Sequence, residues 1–348
     1  MKKNLLRLMT LFVAAVLTNN AFAQGSLLAT LNHEGTVSTF YGAQAWKNAH
    51  DAAVNGDVIT LSSGTFVAVD ITKAITVRGA GMGLDAAAAS EQTVISGNFT
   101  INITEPGSNR LILEGIYSNH GIYYYTVINP LFLKCRISEI SASGSGSRIL
   151  RDASFIHCRI ASRLSLSENC SASCVNSVIQ NPKSESSSSS NFEFINSVIV
   201  STATKDDIFQ PTLKNIQSSS FKSCVIKNTY SRDYISNSCT AFNCIGLGVT
   251  SMFNNVTNAT NKMVSDFASL FKTYTGATLD KLDSETFELT DAAKTQYLGM
   301  DGTEVGIYGG NLPFDPTPSN PQITKCNVAA KSTADGKLSV DIEVNAAE

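Results

Sequence analysis

Charge is scarce in this chain. Only 16% of its 348 residues are Asp, Glu, Lys or Arg, against about a quarter in an ordinary soluble domain. A sequence so poor in Lys and Glu lacks the material for solvated helix faces, which argues against a helical protein. The charge balance, 26 basic against 29 acidic residues, is too acidic for a nucleic-acid binder. Long hydrophobic runs are also missing. No stretch approaches the ~20 consecutive apolar residues of a membrane span. Four scattered His offer no ligand spacing for zinc. Leu is too thin for a leucine-rich repeat. Ser, Thr, Asn and Gly take the place of the missing charges, and these residues suit strands and bends.

The first residues read as a leader. A basic start (Lys2, Lys3, Arg7), an apolar stretch from Leu8 to Leu17 and a small-residue exit, Ala21-Phe22-Ala23, form the pattern of a signal peptide covering 1–23. An exported protein in the periplasm, on the cell surface or outside the cell is therefore expected. Eight Cys in such a protein invite a disulfide reading. Their spacing points elsewhere.

A six-residue phrase recurs from residue 132 onward. It reads Phe132-Leu-Lys134-Cys135-Arg136-Ile137, Phe155-Ile-His157-Cys158-Arg159-Ile160 and Cys174-Val-Asn176-Ser177-Val-Ile179. It continues as Phe194-Ile-Asn196-Ser197-Val-Ile199, Phe221-Lys-Ser-Cys224-Val-Ile226 and Ala241-Phe-Asn243-Cys244-Ile-Gly246. Successive starts lie 23, 19, 20, 27 and 20 residues apart, the period of a solenoid with strands in every turn. In a strand alternate side chains share a face. The first, fourth and sixth positions are small or apolar, and all three can face inward only if the chain bends at the third. Asn there tolerates a left-handed bend. Stacked coils then form ladders of Phe, of Asn, of Cys or Ser and of Ile. Cys135, Cys158, Cys224 and Cys244 share a ladder with Ser177 and Ser197, so they are expected to be buried free thiols. The phrase does not assign the state of Cys170, Cys174, Cys239 or Cys326.

At Gly56-Asp57-Val-Ile-Thr-Leu61-Ser-Ser-Gly64-Thr-Phe66 and Asp70-Ile-Thr-Lys-Ala-Ile75-Thr-Val-Arg-Gly79-Ala-Gly81 the chain resembles the opening coils of the pectin-lyase-like superfamily. The segment from Gly42 to Ala53 resembles that family's amphipathic cap. Phe287-Glu-Leu289 and Tyr297 to Gly310 are similar to its closing phrase. The resemblance covers about residues 36–312 and implies an all-β, right-handed parallel β-helix solenoid with an N-terminal α-helical cap at about 42–54. The expected organisation is a β-helix domain over 24–312, then a Pro-rich linker and short C-terminal strand extension over 313–348. Lys337 to Val344 alternates as strand.

The resemblance also implies where chemistry would sit. Family members that cleave acidic polysaccharides use an outward Arg or Lys with calcium-holding acids, and hydrolytic relatives carry clustered Asp. The basic set that fits is Lys134, Arg136, His157 and Arg159, with Arg163 nearby, offered as a contact for an anionic glycan. Glu139, Asp152 and Glu114 are the candidate internal partners of these cations. No catalytic set is assigned: Asp206 and Asp207 read as loop charges, and the run Ser184–Ser190 as a loop leaving the coil. No cofactor is expected; calcium stays an alternative that the spacing does not support, because it needs several converging oxygens. The second position (Leu133, Ile156, Val175, Ile195, Lys222, Phe242) makes a largely apolar outer stripe, expected to be covered by the C-terminal tail or a loop. The functional expectation is a non-catalytic, monomeric surface protein that binds a polysaccharide or cell-surface glycan, with a polysaccharide lyase or glycoside hydrolase as the alternative.

Overall fold

The protein is described by a computed structural model covering residues 27–84, 92–144, 148–185, 190–202, 216–228, 235–236, 238–248, 252–256, 260–265, 269–273, 285–328, 331–333 and 335–345. The leader at 1–23, Asp206, Asp207 and residues 186–189 of the serine run lie outside the described residues. The fold is all-β: a right-handed parallel β-solenoid of about eight turns.

The phrase sets the coil. Its first positions stand in one parallel register, Phe132 on Phe155, Cys174, Phe194, Phe221 and Ala241. The rings of Phe132 and Phe155 stack with centroids 4.7 Å apart, the spacing of neighbouring parallel strands. Sixth positions pair likewise, Ile137 on Ile160, Ile179, Ile199, Ile226 and Gly246. Between these strands every third-position residue takes a positive φ: Lys134, His157, Asn176, Asn196, Ser223 and Asn243 all lie between +44° and +54°. That single left-handed residue turns the chain so that positions one, four and six enter the bore. The coil-to-coil ladder survives the bend, because the third-position N–H donates to the second-position carbonyl of the next coil, as Asn176 does to Ile195.

The fourth-position ladder is a donor ladder. Ser177 Oγ donates to Phe155 O and Val175 O, and Cys158 Sγ makes the same pair of contacts to Phe132 O and Ile156 O. Ser197 and Cys244 repeat it. A small side chain carrying a donor suits these carbonyls, which is why Cys and Ser interchange here. Cys135, Cys158, Cys170, Cys174, Cys224, Cys239 and Cys244 are buried and free.

The N-terminal end is closed by more than the expected helix. Helix α1 (Ala45–Ala52) buries Ala45, Trp46, Ala49 and His50 over the first coils. Beside it, strands β1 (Leu28–His33) and β2 (Thr36–Tyr41) form a hairpin, and β1 also pairs antiparallel with β3 (Val58–Leu61), the first strand of the parallel run.

The C-terminal part leaves the coil earlier than residue 312. Among the described residues the last strand paired into the parallel stack is Lys262–Val264. Residues 285–320 return along the outside as a strap. Asn243 Nδ2 donates to Leu298 O at 3.1 Å, Asn176 Nδ2 to Ile307 O and Gly309 O at 2.8 Å each, and His157 Nε2 to Leu312 O at 3.0 Å. Lys134 Nζ reaches Asp315 Oδ2 at 2.8 Å and Thr317 O at 2.5 Å, and Asn320 Nδ2 donates to Gly79 O at 3.0 Å. The strap thus descends the bend ladder coil by coil, opposite in direction to the solenoid. Gly309 permits the close approach: a Cβ there would lie 2.7 Å from Asn196 Nδ2 and 1.7 Å from Glu304 O. The Pro-rich stretch is therefore docked rather than a free linker. Beyond it, Gln322–Val328 and Val340–Asn345 form an antiparallel hairpin.

Candidate ligand-binding face

The fifth position of the phrase does face out of the bore. Its ladder runs Val94, Tyr117, Arg136, Arg159, Val178, Val198, Val225, Ile245 and Lys262. This ladder changes character at Arg159. Below it, Val178, Val198, Val225 and Ile245 are buried against Val305, Ile307, Phe287 and Leu289 of the strap, forming a second apolar core outside the bore. The second-position stripe, expected to be the covered one, stays half-buried from Leu133 to Phe242. The reason is local. The fifth position offers flat β-branched side chains, and the third-position side chains next to it offer hydrogen bonds, so the strap follows that edge.

The four expected contact residues are thereby separated. Lys134 and His157 are buried, and their polar ends bind the strap. Burial and the nearby Lys134 charge push the His157 imidazole below its ordinary pKa, outweighing the Leu312 carbonyl. Arg159 is buried with its guanidinium 5.7 Å from the Phe287 ring centroid and 5.5 Å from that of Phe314. Arg136 alone stands on the uncovered face, its guanidinium carbon 4.2 Å above the Tyr117 ring. Of the three carboxylates considered as partners, Glu139 engages the nearby Arg163, and the other two bind outside the set. Glu139 pairs with Arg163, Glu114 with Arg78 and Ser319, and Asp152 with Ser171.

On the uncovered side, strands Ile116–Tyr124, Arg136–Ala142 and Arg159–Leu166 lie side by side. They present Tyr117 beside Arg136, the Arg163–Glu139 pair opposite Gly121, and Tyr123 opposite Ser141. The Tyr123 ring folds back over Gly121, where a Cβ would lie 2.9 Å from it. Next along the coil, Arg148 lies 4.4 Å above the ring of Tyr125. Lys183 sits on the following coil, opposite Ser165, and burial, reinforced by the Arg163 charge, lowers its ammonium below the ordinary Lys value. The result is a shallow face of aromatic plates and guanidiniums. Tyr117, Tyr123, Tyr125 and Arg148 escape the phrase-based reading. Yet Leu113-Glu-Gly115-Ile116-Tyr117-Ser118 stands in register with the phrase, with Leu first, Ile fourth and Ser sixth, and Gly115 has φ +63° at its bend.

The space under α1, lined by Trp46, Phe99, Ile122 and Phe132, amounts to about 20 Å³, room for roughly one water. Among the described residues no group of three His, Cys, Asp or Glu gathers around a metal-sized point, and no helix is long and apolar enough to cross a membrane. No protein-family model, curated protein or solved structure matches the chain.

Proposed function

We propose that this is an exported protein that holds an extended acidic polysaccharide along the uncovered sheet face without cleaving it. The observation that carries the reading is the Arg136 guanidinium stacked 4.2 Å above Tyr117, on a surface that the strap leaves open. A cation mounted on an aromatic ring favours a carboxylate-bearing ligand over a neutral one. Tyr123 and the Tyr125–Arg148 pair extend the platform, and rings of this kind cover sugar faces. A rigid solenoid matches a long, repetitive ligand because its own contacts recur coil after coil. The N-terminal leader pattern supports export.

Affinity electrophoresis through gels containing polygalacturonate or a neutral glucan tests this. The protein is expected to be retarded only by the acidic polymer, and Tyr117→Ala combined with Arg136→Ala to migrate freely. Equal migration of wild type and double variant would remove the face as the contact. Accumulation of ultraviolet-absorbing unsaturated uronate would replace binding with lyase activity.

A further inference from the structure

The N-terminal edge of the eleven-stranded sheet is open. Strand β2 pairs with β1 and closes the strand order, so its other edge carries no strand among the described residues. Its sequence, Thr36-Val-Ser-Thr-Phe-Tyr41, holds no charge, no Pro and no Gly. Edge strands are normally blunted by charge, Pro or shortness. The other ends of the two large sheets are short: Thr240–Phe242 and Lys262–Val264 have three residues each, the second opening on a Lys, and Gly64–Val67 has four and opens on a Gly. β2, with six residues, is longer.

Hydrogen-bond parity says which groups face the open edge. Glu34 and Gly35 link the strands with φ of +48° and +86°, the backbone of a two-residue type I′ turn that closes on His33 and Thr36. At the far end Gly42 N donates to Leu27 O at 2.8 Å. Alternation between these points turns Thr36, Ser38 and Phe40 toward β1. Val37, Thr39 and Tyr41 therefore direct N–H and C=O groups outward, three donors and three acceptors in a row. The same residues carry the exposed apolar side chains, Val37 61% and Tyr41 67% exposed.

We infer that β2 is a self-association edge, and that its occupant is β2 of a second copy of this chain, paired antiparallel about a two-fold axis through Thr39. In that register Thr39 faces its own copy, and Val37 lies opposite Tyr41 on both sides of the axis. All six outward backbone groups of each copy are then paired. Val37 with Tyr41 is a β-branched–aromatic cross-strand pair, a favourable combination. The paired segment Thr36–Tyr41 carries no charged residue, so no like charges meet within it. The strand is self-complementary in hydrogen bonds, in shape and in charge. The two solenoids join end to end in one continuous sheet, in place of the monomer expected from sequence. This inference is independent of the glycan face, which lies on the other large sheet.

Sedimentation equilibrium on the purified protein, over a concentration series and at low and high salt, tests it. Twice the chain mass is expected, with little salt dependence because no charges meet. Thr39→Lys places two ammonium groups on the axis and is expected to raise the dimer dissociation constant by about tenfold or more. Thr39→Cys checks the register without weakening the strand: facing residues of a hydrogen-bonded pair lie about 5.5 Å apart at Cα, within disulfide reach. Mild oxidation is then expected to give a covalent dimer, whereas Ser38→Cys is not. A monomer at all concentrations, or a dimer untouched by Thr39→Lys and not captured by Thr39→Cys, overturns the proposal. Circular dichroism confirms that each variant keeps the β-sheet spectrum.

Discussion

His157 and Leu312 lie 155 residues apart, and the imidazole Nε2–H donates to the Leu312 carbonyl at 3.0 Å. The residue that bends one coil thus also holds the strap that covers its neighbours. Asn176 does the same with two carbonyls. The bend ladder has two tasks, a left-handed backbone and a polar hand for the strap, and Asn serves both with one side chain.

Substitutions separate these tasks. His157→Asn keeps a residue that tolerates positive φ, so its loss of stability is expected to stay near 1 kcal/mol. Asn176→Val loses both strap bonds and forces a β-branched residue into φ +44°, at a cost on the order of 3 kcal/mol. Denaturant melts of the two variants check the ranking. Equal stability of Asn176→Val and wild type would show that the strap is not held there.

The pH dependence follows from the same contact. Burial lowers the His157 pKa from its ordinary 6.5, and His50 under the cap is lowered by burial too. For a His this means that the unfolded chain binds the proton more readily. Stability is full above pH 6.5 and declines as pH falls from there through the lowered native values. For Asp315, burial raises the carboxyl, but the Lys134 and Thr317 hydrogen bonds outweigh it, so its net shift is downward. That contribution is lost only at still lower pH. His33 works in the opposite sense, raised by its hydrogen bond to Asp57, and is best removed as His33→Asn. In that background the melting temperature is expected to drop between pH 7 and pH 5, and His157→Asn to flatten the drop. An unchanged slope would mean that His157 does not titrate on unfolding.

The cysteine ladder makes a chemical prediction. Burial pushes the thiols of Cys158, Cys174 and Cys224 upward, so the native protein at pH 8 is expected to react slowly with a thiol reagent. After denaturation without reductant at least seven thiols should titrate, the number found free among the described residues. Fewer than four would contradict a free ladder. Cys158→Ser reproduces the Ser177 contacts and is expected to cost under about 1 kcal/mol. Cys158→Leu overfills the bore at about 1–3 kcal/mol.

Much of this fold was legible because its contacts repeat. Phe132, Phe155, Phe194 and Phe221 advertise their stacking by recurring at a fixed place in one phrase, and Asn176, Asn196 and Asn243 advertise the bend. The strap was not legible. Leu298 to Asn320 has no period, and its partners lie up to 241 residues away. Without the strap, the side chains of Lys134, His157 and Arg159 read as surface. The hairpin of β1 and β2 was missed for a different reason: its turn is Glu34-Gly35 rather than Asn-Gly or Asp-Gly, and β1 pairs antiparallel in an otherwise parallel sheet. Tyr117 was within reach, hidden by Leu113, Ile116 and Ser118 standing where most other coils have Phe, Cys or Ser, and Ile.

Native-state hydrogen exchange at the bends tests the stacked arrangement most directly. Amides of single left-handed residues in ordinary surface loops exchange quickly, because they have no partner. Here those of Lys134, His157, Asn176, Asn196 and Ser223 each donate to a carbonyl of the next coil, at 2.9 to 3.2 Å. All five are expected in the slowest-exchanging class, alongside the neighbouring strand amides. Exchange of these five at unprotected-chain rates, while the flanking strands stay protected, would show that the coils do not lie in register on one another.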